Sequence, residues 1–204
     1  MILILMLGDK MIMFNKHKKG EYGYIDSYKK SKLIISLIFA AMISFIIITM
    51  LFMFGSTQRI MVIFAILLVL PFSKFLIGYI MCAAFKPLSH ENYDRIFKET
   101  KEASGNLLYD VVITRTEGMK FYQSMYVCNS RIYAYVEDKK FNDNKKAYET
   151  WIKECVNGTK FDYNIKVFSD LEEYIKKVNS VSAANDKTVK IDKHIVERIL
   201  VTCV

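Results

Sequence analysis

Proline is nearly absent, with two residues in 204, and glycine numbers only eight. That scarcity excludes collagen-like and Pro/Gly-rich low-complexity chains, and a hydrophobic share of 52% excludes intrinsic disorder. The four cysteines (Cys82, Cys128, Cys155, Cys203) never fall in a C-x-x-C spacing, so neither a zinc ribbon nor a dithiol redox centre is written here, and a reducing compartment is the simpler reading. No G-x-G-x-x-G or G-x-x-x-x-G-K-[ST] loop is present to cradle phosphate, and no G-x-S-x-G elbow to present a nucleophile. His90 and His194 stand alone and read as solvated surface residues. Neither half of a Cys/His dyad is recognisable.

The most informative absence is charge. Leu33 to Phe54 contains no Asp, Glu, Lys or Arg, and only Arg59 and Lys74 interrupt Gly55 to Phe85. About 22 uncharged residues at 1.5 Å each cover the roughly 30 Å hydrocarbon core as one helix. Buried helices of soluble proteins are shorter and keep a polar face. Ile60 to Phe85 is a second such run, and Gly55-Ser56-Thr57-Gln58-Arg59 suffices to reverse direction between antiparallel helices. The expected organisation is therefore a basic leader over 1–32, a transmembrane hairpin over 33–86 with spans at about 33–54 and 60–85, and a soluble domain over 87–204. Met1 to Leu7 is apolar but too short to span, and no small-residue cleavage site follows, so it does not read as a signal peptide. Met1, Met11 and Met13 are all candidate translation starts.

Orientation follows from where the bases lie. Residues 1–32 carry a net +4, residues 33–86 a net +3, and residues 87–204, with 19 bases and 18 acids, a net +1. Bases near span ends stay on the cytoplasmic side, which predicts an inner-membrane, multi-pass protein with both termini cytoplasmic. The lysines of the leader would meet anionic headgroups there. A domain at +1 lacks the positive footprint of a nucleic-acid binder. Asn157-Gly158-Thr159 matches a glycosylation pattern that has no meaning in the cytosol.

Lys74 is an ionisable residue inside a span, a functional-site candidate by default. Pro71 lacks the N–H that would bond the Leu67 carbonyl and so frees an acceptor near it. Lys74, Gly78 and Cys82 share one face of the second span, matched by Ser36, Ala40 and Ser44 on the first; small faces allow close packing and homo-oligomer formation. Two spans supply no acidic partner for an ion pathway, so structural accommodation is the expected role.

Beyond Pro87 the periodicity predicts an α+β domain of order αβββαβα, ending in a further tail helix, with a mixed four-stranded sheet. Ser89 is the N-cap of a helix carrying Tyr93, Ile96 and Phe97. Leu107–Thr114, Met119–Cys128 and Arg131–Glu137 form a meander joined at Thr116-Glu117-Gly118 and Asn129-Ser130. Phe141–Lys146 reads as a polar loop before a helix with Ala147, Trp151 and Cys155 on one stripe, closed by Gly158. Phe161 to Val167 alternates as a strand. Ser169-Asp170-Leu171-Glu172 reads as a capping box ahead of Leu171, Tyr174, Ile175 and Val178. Asn179–Lys187 reads as a linker, and Asp192–Val204 as a tail helix burying Ile195, Ile199 and Cys203.

Glu137-Asp138-Lys139, at the end of the third strand of this order, resembles the E-x-K element of nuclease-like PD-(D/E)xK domains. That resemblance implies a membrane-tethered metal-dependent hydrolase in which carboxylates hold a divalent ion and Lys139 assists water. The family's acid belongs on the strand before, where Met119–Cys128 has none; Asp110, one strand earlier, is the nearest. Tyr122, Tyr126, Tyr133 and Tyr135 could stack a ligand, yet amphipathic strands use tyrosine routinely. Gly20-Glu21-Tyr22-Gly23-Tyr24-Ile25, then Val69-Leu70-Pro71-Phe72-Ser73-Lys74, then Tyr109-Asp110-Val111-Val112-Ile113-Thr114 resemble an uncharacterised group of two-span membrane proteins from Gram-positive anaerobic bacteria. That resemblance implies architecture and no activity. The function expected is a membrane-anchored interaction or scaffold module for an unknown cytosolic protein partner, without catalysis or cofactor; the hydrolase built on Asp110, Glu137 and Lys139 is the alternative.

Overall fold

The structure, a computed structural model, describes residues 17–52, 56–101, 103, 105–137, 141–157, 163–181 and 186–203. Its contacts divide the chain into two compact units. One contains Ile25–Lys86, and the other joins His17–Tyr24 to Pro87–Val204.

The first unit is built on two long helices, α1 (Tyr24–Phe52) and α2 (Ser56–Ala83), each long and apolar enough to cross a bilayer. Helix α1 begins nine residues ahead of the apolar run, because its charged start is itself helical. Asp26 lies in the first turn, where the helix dipole favours an acid, and Lys29 pairs with it at 3.1 Å one turn on. Ser56–Arg59, expected as a turn, forms the start of α2, since the first turn of a helix has free amides that polar residues tolerate. Gly55 lies outside the described residues. The two helices meet through Phe39 and Phe75, stacked at 5.8 Å, while Ile35, Ser36 and Cys82 are buried. Leu37, Phe45 and Leu70 are 60%, 70% and 70% exposed, an apolar outer surface that water does not support.

The second unit is a three-layer arrangement around the sheet β1-β2-β3-β4. Strands β1 (Asn106–Arg115), β2 (Gly118–Cys128) and β3 (Arg131–Tyr135) are antiparallel, and β4 (Asn164–Phe168) lies parallel to β3. Asn129 and Ser130 both take positive φ, the requirement of a tight two-residue hairpin loop. Three further helices and a tail helix flank the sheet: α3 (His90–Glu99), α4 (Phe141–Val156), α5 (Leu171–Asn179) and α6 (Asp186–Thr202). Tyr148, Trp151 and Ile152 of α4, with Ile195 and Ile199 of α6, pack on Val111, Ile113, Tyr122, Met125 and Ile132. On the opposite face Ile96 of α3 and Tyr174, Ile175 and Val178 of α5 pack on Tyr109, Tyr126, Tyr133 and Tyr135. A fully buried aliphatic such as Ile152 contributes about 1.5–3 kcal/mol of transfer free energy.

The order and class match expectation; several boundaries do not. Phe141–Lys146 is the first part of α4 rather than a loop, its polar residues suiting a helix start. Asp170, not Ser169, caps α5, accepting from the Glu172 amide at 3.0 Å. Ser89 does cap α3, accepting from the Asn92 amide at 3.3 Å. Helix α6 starts at Asp186, which shortens the linker and places Asp192 inside it, buried, where its carboxylate accepts from the Asn129 amide at 2.7 Å. Gly158, Phe161 and Asp162 lie outside the described residues.

Candidate functional site

Asp110 is the residue around which the second unit is organised. It sits mid-strand in β1 with φ 52, a left-handed conformation that non-glycine residues adopt seldom, Asn and Asp most readily. In register, Tyr109 faces Ser124 and Val111 faces Tyr122, leaving Asp110 and Gln123 as the step between. A strand alternates faces with period two, yet Tyr109 joins the tyrosine-rich layer and Val111 the opposite one. On β2 the same inversion separates Tyr122 from Ser124, whose hydroxyl lies 2.9 Å from that of Tyr174 in the tyrosine-rich layer. Both strands therefore exchange faces at one rung, and both residues of that rung are buried polar groups engaged with backbone: the Gly23 amide donates to Asp110 Oδ2 and the Glu137 amide to Gln123 Oε1, each at 2.9 Å.

The donor to Asp110 comes from the eight residues His17–Tyr24, which form a strap on this unit. Two short turns, Glu21 N–H to Lys18 O at 3.1 Å and Tyr24 N–H to Glu21 O at 3.2 Å, shape it. Gly20 and Gly23 have φ 87 and 82; a Cβ on Gly20 would also stand 3.0 Å from Leu200 and 3.1 Å from Leu108. The Tyr109 amide donates to Gly20 O at 2.8 Å, and Lys19 Nζ to Cys203 O at 2.6 Å. Cys203 in turn bridges Ile113, so the strap and the tail cover two points on β1, a sheet edge that would otherwise invite pairing. Tyr22 stacks on Tyr93 at 4.1 Å, meets His90 and Tyr109 edge-on, and donates its hydroxyl to Leu88 O at 3.0 Å.

The three residues of the hydrolase alternative fare differently. Asp110 is buried and holds the strap, the Glu137 side chain is exposed while its amide is held by Gln123, and Lys139 lies outside the described residues. Among the described residues no group of three His, Cys, Asp or Glu side chains is arranged to hold a metal ion. The four tyrosines occupy both faces, Tyr122 on one and Tyr126, Tyr133 and Tyr135 on the other, so they do not make one stacking platform. Burial pushes the phenols of Tyr109, Tyr122 and Tyr174 well above their ordinary range.

In the first unit Pro71 lies within an unbroken α2, and Lys74 is exposed on it. The next residue, Phe75, is buried, and the ammonium of Lys32 from α1 stands 4.9 Å from its ring centroid. The small faces meet only in part: Ser36 and Cys82 are buried, but Ser44 is exposed and its hydroxyl bonds Ala40 O of its own helix at 2.9 Å.

The strap and Gln123 were not legible as site residues. The leader reads as solvated because of its lysines; the available signal was two glycines and two tyrosines set among them. No family model, curated protein or solved structure matches the chain.

Proposed function

We propose that this chain anchors a cytosolic interaction module in the inner membrane, with both termini in the cytoplasm and no chemistry of its own. One observation carries the reading. His17–Tyr24, at the entry to α1, and Pro87–Val204, beyond α2, fold into one unit, tied by the Gly23–Asp110 and Gly20–Tyr109 hydrogen bonds. A chain whose flanking segments fold together must leave and re-enter on one side of the bilayer. The bases of residues 1–32, set against the single Arg59 near the start of α2, favour the cytoplasm for that side. The resemblance to two-span proteins of Gram-positive anaerobes agrees with this architecture. Engagement of Asp110 with the strap favours a scaffold over a metal hydrolase.

Protease added to intact cells should leave the C-terminal half whole, and the same protease should digest it after lysis. Digestion in intact cells, or a full chain that stays in the supernatant after high-speed centrifugation, overturns the reading. Pull-down of the detergent-solubilised protein should bring a cytosolic protein that is lost when the strap is disrupted. Titration of the full chain with Mn²⁺ should give no saturable heat; binding abolished by Glu137→Ala would reinstate the hydrolase.

A further inference from the structure

Lys32 and Lys74 stand on different helices of the first unit. A Cβ placed on Gly78 would lie 3.8 and 3.9 Å from the Lys32 stem, so that stem fills the notch the glycine leaves. Lys74 is one turn, about 6 Å, further along α2 from Gly78, and Lys32 extends in the same direction to reach the ring of Phe75, with Tyr28 flanking its ammonium at 5.0 Å. Phe75, whose ring Lys32 reaches, is the residue next to Lys74 in the chain. No acid occurs between Asp26 and Glu91, Asp26 is paired with Lys29, and among the described residues neither Lys32 nor Lys74 has a carboxylate within ion-pair distance.

Two cations held together without an anion require one from outside. Lys74 is exposed on a helix whose Leu70, Ile77 and Ile80 are exposed apolar residues, so an anion reaching it from the hydrocarbon side must carry acyl chains. We propose that Lys32 and Lys74 form a two-point clamp for the phosphate of a single anionic phospholipid. The aromatic support of Lys32 holds one ammonium in place, and Lys74 closes on the phosphate from the second helix. This rests on the membrane reading above and adds to it a specific lipid site.

The full chain, purified in a neutral detergent, is mixed with phosphatidylglycerol or with diglucosyl diacylglycerol of the same acyl chains, and retained lipid is counted by native mass spectrometry. One phosphatidylglycerol should be retained about 30-fold better than the uncharged glycolipid, from two bases acting on one phosphate. Lys32→Gln/Lys74→Gln should abolish that preference, Lys32→Arg/Lys74→Arg should keep it, and Lys98→Gln/Lys101→Gln should leave it unchanged. Equal retention of both lipids, or an unchanged preference in the double Gln variant, overturns the clamp. So does full competition by millimolar glycerol 3-phosphate, which would mean a soluble anion suffices. Flotation of each variant with phosphatidylcholine vesicles separates the two claims: failure to float removes the membrane reading, whereas floating without lipid preference removes only the clamp.

Discussion

The Gly23 amide and the Asp110 carboxylate, 87 positions apart in sequence, are joined by a hydrogen bond of 2.9 Å at the one rung where β1 and β2 exchange faces. Asp110 therefore has two duties, a left-handed backbone and an acceptor for the strap. Substituting Asn keeps the tolerance for positive φ and an oxygen, and should cost about 1 kcal/mol. Substituting Ala removes the acceptor and adds the left-handed penalty, and should cost about 3 kcal/mol. Urea unfolding of the full chain in micelles, followed through its single tryptophan, the core residue Trp151, reads both. Equal costs for Asn and Ala would mean that neither the acceptor oxygen nor the left-handed backbone matters at this position.

The strap makes a second prediction about where the folded unit begins. A fragment over 87–204 lacks the Gly20 acceptor for Tyr109, the donor to Asp110 and the Tyr22 ring against Tyr93. It should unfold at lower urea than the same fragment carrying 17–24 through a flexible linker, by about 2–4 kcal/mol for several buried hydrogen bonds and one aromatic. In the linked form Gly20→Ala should remove most of the gain, because φ 87 and the nearby leucines both oppose a side chain. Coincident transitions with and without 17–24 would show the segment to be a passive leader.

The strands, the helix order and the two long apolar helices were legible because each rests on local signals: period-two alternation in Asn164–Phe168, caps at Ser89, and an uncharged run from Leu33. What escaped was non-local. Nothing in Leu107–Thr114 announces that Asp110 inverts the pleat, since a buried acid in a strand looks like a candidate ligand until its partner is known. That partner lies on the far side of both long apolar helices. Gly20-Glu21-Tyr22-Gly23-Tyr24 had a turn's composition, yet its role depends on a tertiary contact that periodicity cannot report. The cap shift from Ser169 to Asp170 is a smaller case, two adequate capping residues competing for one position.

Two buried tyrosines of the same layer should respond oppositely to loss of their hydroxyls. Tyr174 OH lies 2.9 Å from Ser124 Oγ in a buried pair, so Tyr174→Phe strands the serine and should cost about 1–2 kcal/mol. Tyr109 OH is buried with no hydrogen-bond partner among the described residues, so Tyr109→Phe should be neutral or stabilise by about 1 kcal/mol. In a double-mutant cycle Ser124→Ala should recover part of the Tyr174→Phe loss. A destabilising Tyr109→Phe would reveal a partner for that hydroxyl.

Alkaline pH should weaken the second unit through groups kept neutral by burial. Desolvation pushes the Cys203 thiol from 9.0 up to about 12 against the opposing pull of Lys19, and desolvation with Asp192 nearby raises Tyr163 from 10.0 to about 12. Both are acids whose folded-state values are raised, so the folded chain holds its proton where the unfolded chain has lost it. The stabilisation is complete below about pH 9, falls as pH rises because the unfolded state then binds fewer protons, and is gone above about 12. Each such group contributes a slope of about 1.4 kcal/mol per pH unit inside its window. With reductant present, the urea midpoint should be level from pH 7 to 8.5 and decline from 9 onward. Burial also pushes the Cys155 thiol up, so Cys203→Ala should lessen the decline between 9 and 10, Cys203→Ala/Cys155→Ala should flatten it, and both should leave the steeper tyrosine limb beyond 10. A midpoint that rises with pH over this interval would mean that Cys203 is stabilised as thiolate by Lys19, the opposite balance of burial and charge.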